Sequence, residues 1–287
     1  MMRKFILLLV LLLIVLAAGC DSERDYHCKN DPLGEACYIP PEDLNFLPSE
    51  KEEFTIDEDF ENEVVGQKPE NWLLFTNEEY EPGGVRAEVV QGENGKYVQM
   101  YSDGKWAPMY PQNAPNPTFI FSTKFNLDKE RKGVAYGSVL LPSQELLPEG
   151  QTYNSVTIGV STGAVNTISV TIGRDLIISV KVGGPFYYYS GNNDGGEIFK
   201  TNYSAELDKW YRFKFVWDAE NDLVQAYLLT EEGDILLYSG RFHISNRYNA
   251  KADGEILVPN VFKVTMPRYQ SGWAFLDDVK VERRTGQ

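Results

Sequence analysis

The sequence predicts an all-β fold, a single antiparallel β-sandwich behind an exported leader and a tether. Three observations predict it. Beyond residue 53, short runs of alternating polar and apolar residues rich in Val, Ile, Thr, Tyr and Phe recur to the end of the chain. Such period-two runs make strands with one buried and one wet face. Turn-forming stretches such as "ENGK", "AEND" and "EEGD" stand between them, supplying the Gly, Asn and Asp that chain reversals need. No segment carries a sustained 3.6-residue pattern, and "AELDKW" suffices for a single turn only. Roughly 230 residues of this texture can bury one sizeable core, so one domain is expected over 53–287.

The leader comes first. "MMRK" is a short basic start, and Phe5 to Ala18 is an apolar run of 14 residues, short for a membrane span and right for a signal peptide. It ends in "LAAGC", which resembles the box of bacterial lipoprotein signals, with Ala17 where Leu is commonest three residues before the cysteine. That resemblance implies a signal peptide over 1–19 and a diacylglyceryl group on Cys20. It makes the lipid bilayer a partner and places the body outside the cytoplasmic membrane; two or three acyl chains anchor firmly where one does not. Ordinary secretion, with Cys20 a plain thiol, is the alternative.

From 20 to 52 the chain is polar and carries Pro32, Pro40, Pro41 and Pro48, a composition that makes a semi-extended spacer. Cys28 and Cys37 form an even pair in an exported chain, so a disulfide between them is expected. Lys and Arg total 27 against 42 Asp and Glu, a net charge of −15. An acidic body of this kind repels nucleic acid and anionic headgroups, which excludes nucleic acid as a partner.

Strands are expected from "VRAEVVQG", "KYVQMYS", "TFIFSTKFNL", "GVAYGSVLL", "SVTIGVST", "NTISVTIG", "LIISVKVGG", "WYRFKFVWD", "LVQAYLL", "ILLYSGRF", "VFKVTM" and "WAFLDDVKVE". The opening "DFENEVVGQKPENW", the middle "DKWYRFKFVWDAENDLVQAYL" and the close "SGWAFLDDVKVE" together resemble the concanavalin A-like lectin/glucanase jelly rolls, laminin-G-like domains included. The resemblance implies two curved antiparallel sheets with first and last strands adjacent. It also implies a carbohydrate held on the concave sheet or its loop rims, and in some members a bound calcium.

Asp57, Asp59 and Glu61 in "DEDFE" resemble the E-x-D-x-E strand of family 16 glycoside hydrolases, which would make them the catalytic carboxylates of an enzyme. Alternation offers a plainer account: Phe54, Ile56 and Phe60 mark the core face, leaving Asp57, Asp59, Glu61 and Glu63 in solvent. On that account no residue is catalytic, and enzymatic activity is left open. Glu58 shares the phase of the apolar residues, as Asp277 shares that of Trp273, Phe275, Val279 and Val281. A buried carboxylate needs a partner, so Glu58, Asp59, Asp277 and Asp278 are candidate ligands of a structural Ca2+. No H-E-x-x-H or phosphate-binding loop is present.

Sugars are held by aromatic faces and planar polar groups. Trp210, Tyr211, Phe213, Phe215 and Trp217 read as strand core. Turn-rich segments supply the carbohydrate-binding candidates: Trp106 and Tyr110 in one, and Tyr187, Tyr188, Tyr189, Asn192 and Asp194 in another. The reading is a lipid-anchored, extracytoplasmic carbohydrate-binding module, with a polysaccharide hydrolase or lyase and a protein-binding envelope module as alternatives.

Overall fold

Alternating residues build strands wherever the runs above occur. The computed structural model describes residues 54–75, 84–104, 118–124, 132–162, 165–183, 196–219, 221, 223–241, 259–267 and 270–283. Their strands are β1 (Phe54–Glu58), β2 (Leu73–Phe75), β3 (Val85–Gly92), β4 (Gly95–Asp103), β5 (Thr118–Lys124), β6 (Lys132–Leu140), β7 (Val156–Thr162), β8 (Val165–Ile172), β9 (Ile177–Gly183), β10 (Gly196–Ser204), β11 (Trp210–Asp218), β12 (Leu223–Thr230), β13 (Gly233–Arg241), β14 (Val261–Pro267) and β15 (Ser271–Arg283). One turn of 3-10 helix, Gln144–Leu146, follows β6. Among the described residues no helix is long and apolar enough to cross a membrane.

The strands form a two-sheet antiparallel sandwich. Sheet A has eight strands in the order β13-β12-β11-β6-β15-β4-β3, with β1 also paired to β15; sheet B has seven, in the order β10-β9-β8-β7-β14-β5-β2. First and last strands are therefore neighbours, with Ile56 opposite Val281 and Glu58 opposite Val279. β15 is paired to β6 from Phe275 to Arg283, while its other edge is taken by β4 up to Leu276 and by β1 from Val279.

The core lies between the sheets. Trp72 stacks on Phe121 at 4.5 Å and meets Phe60 and Phe262 at 5.9 and 6.2 Å, and all four are buried. The β11 alternation sends Tyr211, Phe213, Phe215 and Trp217 inward as expected, but Trp210 faces outward and is 39% exposed. Gly133 makes room for Trp217: a β-carbon there would lie 2.2 Å from the indole Cζ2.

Alternation gives way at two bends. Phe60 is buried through a left-handed turn (φ 57°) after β1 has ended, not through strand phase. In β15, Asp278 has φ 53° and the register against β6 slips between Asp277 and Lys280. This bulge reverses the phase. Ala274, Leu276, Val279 and Val281 face the core, whereas Trp273 and Phe275 pack on the outer side of sheet A with Leu140 and Leu147.

Candidate functional site

Several of the candidates named above lie outside the described residues: Cys20, Cys28 and Cys37, and the aromatic segments with Trp106, Tyr110, Tyr187, Tyr188, Tyr189, Asn192 and Asp194. The strands bordering those segments are described. β9 ends at Gly183, β10 starts at Gly196 and β5 starts at Thr118, all in sheet B. From the antiparallel order, Gly183 and Thr118 stand at opposite ends of that sheet.

The carboxylates do not form an active-site strand. β1 stops at Glu58, so Asp57, Asp59 and Glu61 do not line one strand face. Asp57 pairs with Lys280 at 2.9 Å. Asp59 accepts from the Glu61 backbone N–H at 3.1 Å. Glu61 clamps the β3–β4 turn, its Oε1 accepting from the Lys96 backbone N–H at 2.6 Å, while the Lys96 ammonium donates to the Glu61 and Glu63 carbonyls. Glu58 is half-buried at the strand end; burial, then Glu63, Asp59 and Asp57, push its carboxyl upward.

Asp277 stands on the outer side of sheet A rather than on the core face, because of the bulge. Burial pushes its carboxyl up to about 7; the Asp278 N–H that it accepts at 2.7 Å works against this, and the charges of Asp278, Glu61 and Asp59 add to it. Asp278 lies 3.8 Å from the Arg212 guanidinium. Among the described residues no group of three or more His, Cys, Asp or Glu side chains is arranged to hold a metal ion, so the four candidate ligands do not converge as a calcium cage.

Two outer faces escape a reading of the sequence alone. That of sheet A is aromatic but largely self-packed. Tyr101 lies 4.5 Å from Trp273, and Tyr97 lies 4.9 Å from Phe275 and 5.8 Å from Trp210. Arg86 covers Tyr101 and Trp273 at 5.2 and 5.0 Å, and the Trp273 indole donates to Gln151. Trp210 is the ring here that offers much surface.

The outer face of sheet B is polar and shielded. The registers align Ser122, Lys263, Gly159, Ser169 and Lys181 in one row across β5, β14, β7, β8 and β9. The next row holds Thr265, Thr157, Thr171 and Ser179, with the Thr157 and Thr171 hydroxyls 2.7 Å apart. Beyond the first row, Ser161 pairs with Asn166, whose Nδ2 donates to the Lys181 carbonyl at 2.9 Å. Lys181 and Lys263 are 2% and 8% exposed, and burial pulls the Lys263 amine down to about 8. Ser169 and Asn166 are wholly buried, and neither the Ser169 Oγ nor the Asn166 Oδ1 has a hydrogen-bond partner. Leaving such an atom unsatisfied costs about 1–3 kcal/mol, and native proteins carry few of them. The sequence signal is faint: each lysine stands alone among Val, Ile, Ser and Thr in "ISVKVG" and "VFKVTM", where a solvent-facing position would ordinarily explain it.

No protein-family model matches the chain, and no curated protein matches it. Solved structures do show similarity. A sialidase aligns at 12% identity and TM-score 0.48 over 79% of this chain, which spans only 18% of that protein. An endo-β-1,4-glucuronan lyase from the fungus Trichoderma reesei aligns at 11% and 0.44, covering 80% of this chain and 96% of that one. The CBM2 module of an evolved Dit from Lactobacillus casei BL23 phage J-1 aligns at 13% and 0.45, covering 82% and 96%. With identities and scores this low, the functional reading below stands on the chain's own residues.

Proposed function

We propose that this chain is a carbohydrate-binding β-sandwich of the concanavalin A-like kind, non-catalytic, held outside the cytoplasmic membrane by a lipid on Cys20. The saccharide lies on the outer face of sheet B. One observation carries the reading: the Ser169 and Asn166 oxygens, fully buried and unpartnered, stand on one polar face among serines, threonines and two lysines. Sugar hydroxyls both donate and accept, so a glycan satisfies such oxygens better than an apolar ligand does. The aromatic residues Trp106, Tyr110 and Tyr187–Tyr189 belong to the same proposal as stacking partners, because strands of sheet B border their segments. The anchor is supported by the leader and its "LAAGC" box.

The test is affinity electrophoresis of the chain through gels containing single polysaccharides, with the same mixtures assayed for reducing and unsaturated ends. Retardation without product is expected. Ser169→Ala should keep the fold and weaken retardation about threefold to thirtyfold, the worth of one hydrogen bond in a dry site. Retardation lost in Trp210→Ala but retained in Ser169→Ala would move the site to sheet A. Product release would overturn the non-catalytic reading, and no retardation across a broad panel would overturn the carbohydrate reading.

A further inference from the structure

The outer face of sheet A carries aromatic and polar side chains whose packing leaves their functional groups outward. The registers set Trp210, Leu140, Phe275, Gln99 and Glu88 in one row across β11, β6, β15, β4 and β3. Trp273, Tyr101 and Arg86 stand in a neighbouring row. Leu140, Phe275 and Trp273 are buried, so the groups that these rows offer to solvent are Trp210, Gln99, Glu88, Tyr101 and Arg86, with Tyr97 beside them. Trp210 and Tyr97 start on strands three places apart, yet their rings meet at 5.8 Å. The two side chains therefore lean together over the intervening strands, and Trp210 still stays 39% exposed.

The polar atoms of this patch are unspent. Among the described residues, the side chains of Arg86, Glu88 and Gln99 make no hydrogen bond or ion pair, and the Tyr97 and Tyr101 hydroxyls have no partner. The Arg86 guanidinium nevertheless has a fixed place, over the Tyr101 and Trp273 rings at 5.2 and 5.0 Å. The rings hold it by one face and leave its N–H donors to a ligand. Glu88, two residues along the same face of β3, is not paired with it, so the patch carries one charge of each sign. A protein laid over it would have to match every one of these groups, at about 1–3 kcal/mol for each left buried and unpaired. An anion would gain Arg86 but meet Glu88 and, in the row beyond Phe275, the half-buried Asp277. A neutral saccharide answers both demands: its C–H faces lie on the rings, and its hydroxyls donate and accept.

We propose that this patch is a second glycan-binding face, taking a neutral polysaccharide laid across sheet A from Trp210 to Arg86. The inference rests on the carbohydrate reading above but uses no residue of sheet B. Trp210, backed by Tyr97, stacks on a sugar ring at one end. Gln99, Glu88 and the two tyrosine hydroxyls bond sugar hydroxyls along the way, and Arg86 donates at the far end. Four strand spacings separate β11 from β3, about 19 Å, which suits a chain of several sugars rather than one. Contacts within the sheet already fix the Trp210 and Tyr97 rings and the Arg86 guanidinium, so binding orders few side chains anew.

The experiment combines calorimetric titration with hydroxyl-radical footprinting of the full-length chain in neutral detergent. The probes are laminarin, xylan and galactomannan, with polygalacturonate as the acidic control. At least one neutral probe should bind and protect Trp210 and Tyr97 from labelling relative to the rest of the chain. Trp210→Ala should weaken that binding roughly tenfold or more, and Trp210→Tyr, which keeps a flat ring, should retain most of it. Arg86→Gln should cost about tenfold. Glu231→Gln, on the exposed turn between β12 and β13, should change nothing. Thermal melts check that each variant is folded; a misfolded Trp210→Ala leaves Arg86→Gln and the footprint to decide. A glycan that binds while Trp210 is labelled as fast as in the free chain would overturn this inference and leave the carbohydrate reading standing. Polygalacturonate bound more tightly than every neutral probe would overturn the neutral ligand class proposed for this face. Binding to no probe at all would overturn both this inference and the carbohydrate reading.

Discussion

Replacing Lys263 by Met should stabilise the fold. Lys263 sits in the middle of sheet B, 8% exposed, with its amine held at about 8 against an ordinary 10.5. Below pH 8 the folded state must hold a cation that the unfolded chain keeps in water, a cost of roughly 3 kcal/mol. As pH rises through 8 the folded-state amine becomes neutral, and the unfolded chain binds more protons until 10.5, so the cost fades across that window. Met retains much of the apolar stem without the charge. Lys263 also has interactions of its own that the substitution removes, so the net gain at pH 7 should be about 1–3 kcal/mol. For a domain of this size that is ~2–10 °C in Tm. The assay is a pair of thermal melts, wild type and Lys263→Met, in steps from about pH 6 to about pH 10. The gap should be widest at about pH 6–7 and narrow steadily above about 8. A variant less stable than wild type at neutral pH, with a gap that does not move with pH, would refute the reasoning.

Asp277 responds in the opposite sense. Its carboxyl is raised to about 7 from 3.8, first by burial, so ionisation destabilises the fold as pH climbs from about 4 through 7. Because the side chain is only half-buried, Asp277→Asn should gain about 1 kcal/mol at about pH 8 and nothing near pH 4. Chemical denaturation at the two pH values checks this, and an equal effect at both would sink it. Gly133→Ala places a β-carbon 2.2 Å from Trp217 and should cost about 1–3 kcal/mol by overpacking. Denaturant melts with the Trp emission as signal measure it, and an unchanged midpoint would mean that the indole moves aside freely.

Whatever depends on period two alone is legible in the sequence. The strands, the two-sheet core and the outward turn of the β1 carboxylate Asp57 all follow from alternation, because a strand's faces are fixed once its register holds. What is not legible depends on where that period breaks. The bulge at Asp277–Asp278 adds one residue to β15 and so exchanges the faces of everything on one side of it. Extrapolating the Val279 and Val281 phase backward therefore puts Trp273, Phe275 and Asp277 on the wrong side. The end of β1 at Glu58 likewise dissolves a three-carboxylate face that would exist only if the strand continued. The polar floor of sheet B is hidden for a different reason. Periodicity marks Lys181, Ser169 and Lys263 as residues that avoid the core, and it says the same of any solvent-facing position. Their alignment in one row needs the lateral strand order β9-β8-β7-β14, in which β14 begins at Val261, far along the chain from the end of β9 at Gly183, and no local pattern records the pairing. A charge count by strand gives an early hint that the sheets differ: each holds four lysines in its strands, but Glu197 is the one carboxylate in the strands of sheet B against nine in those of sheet A.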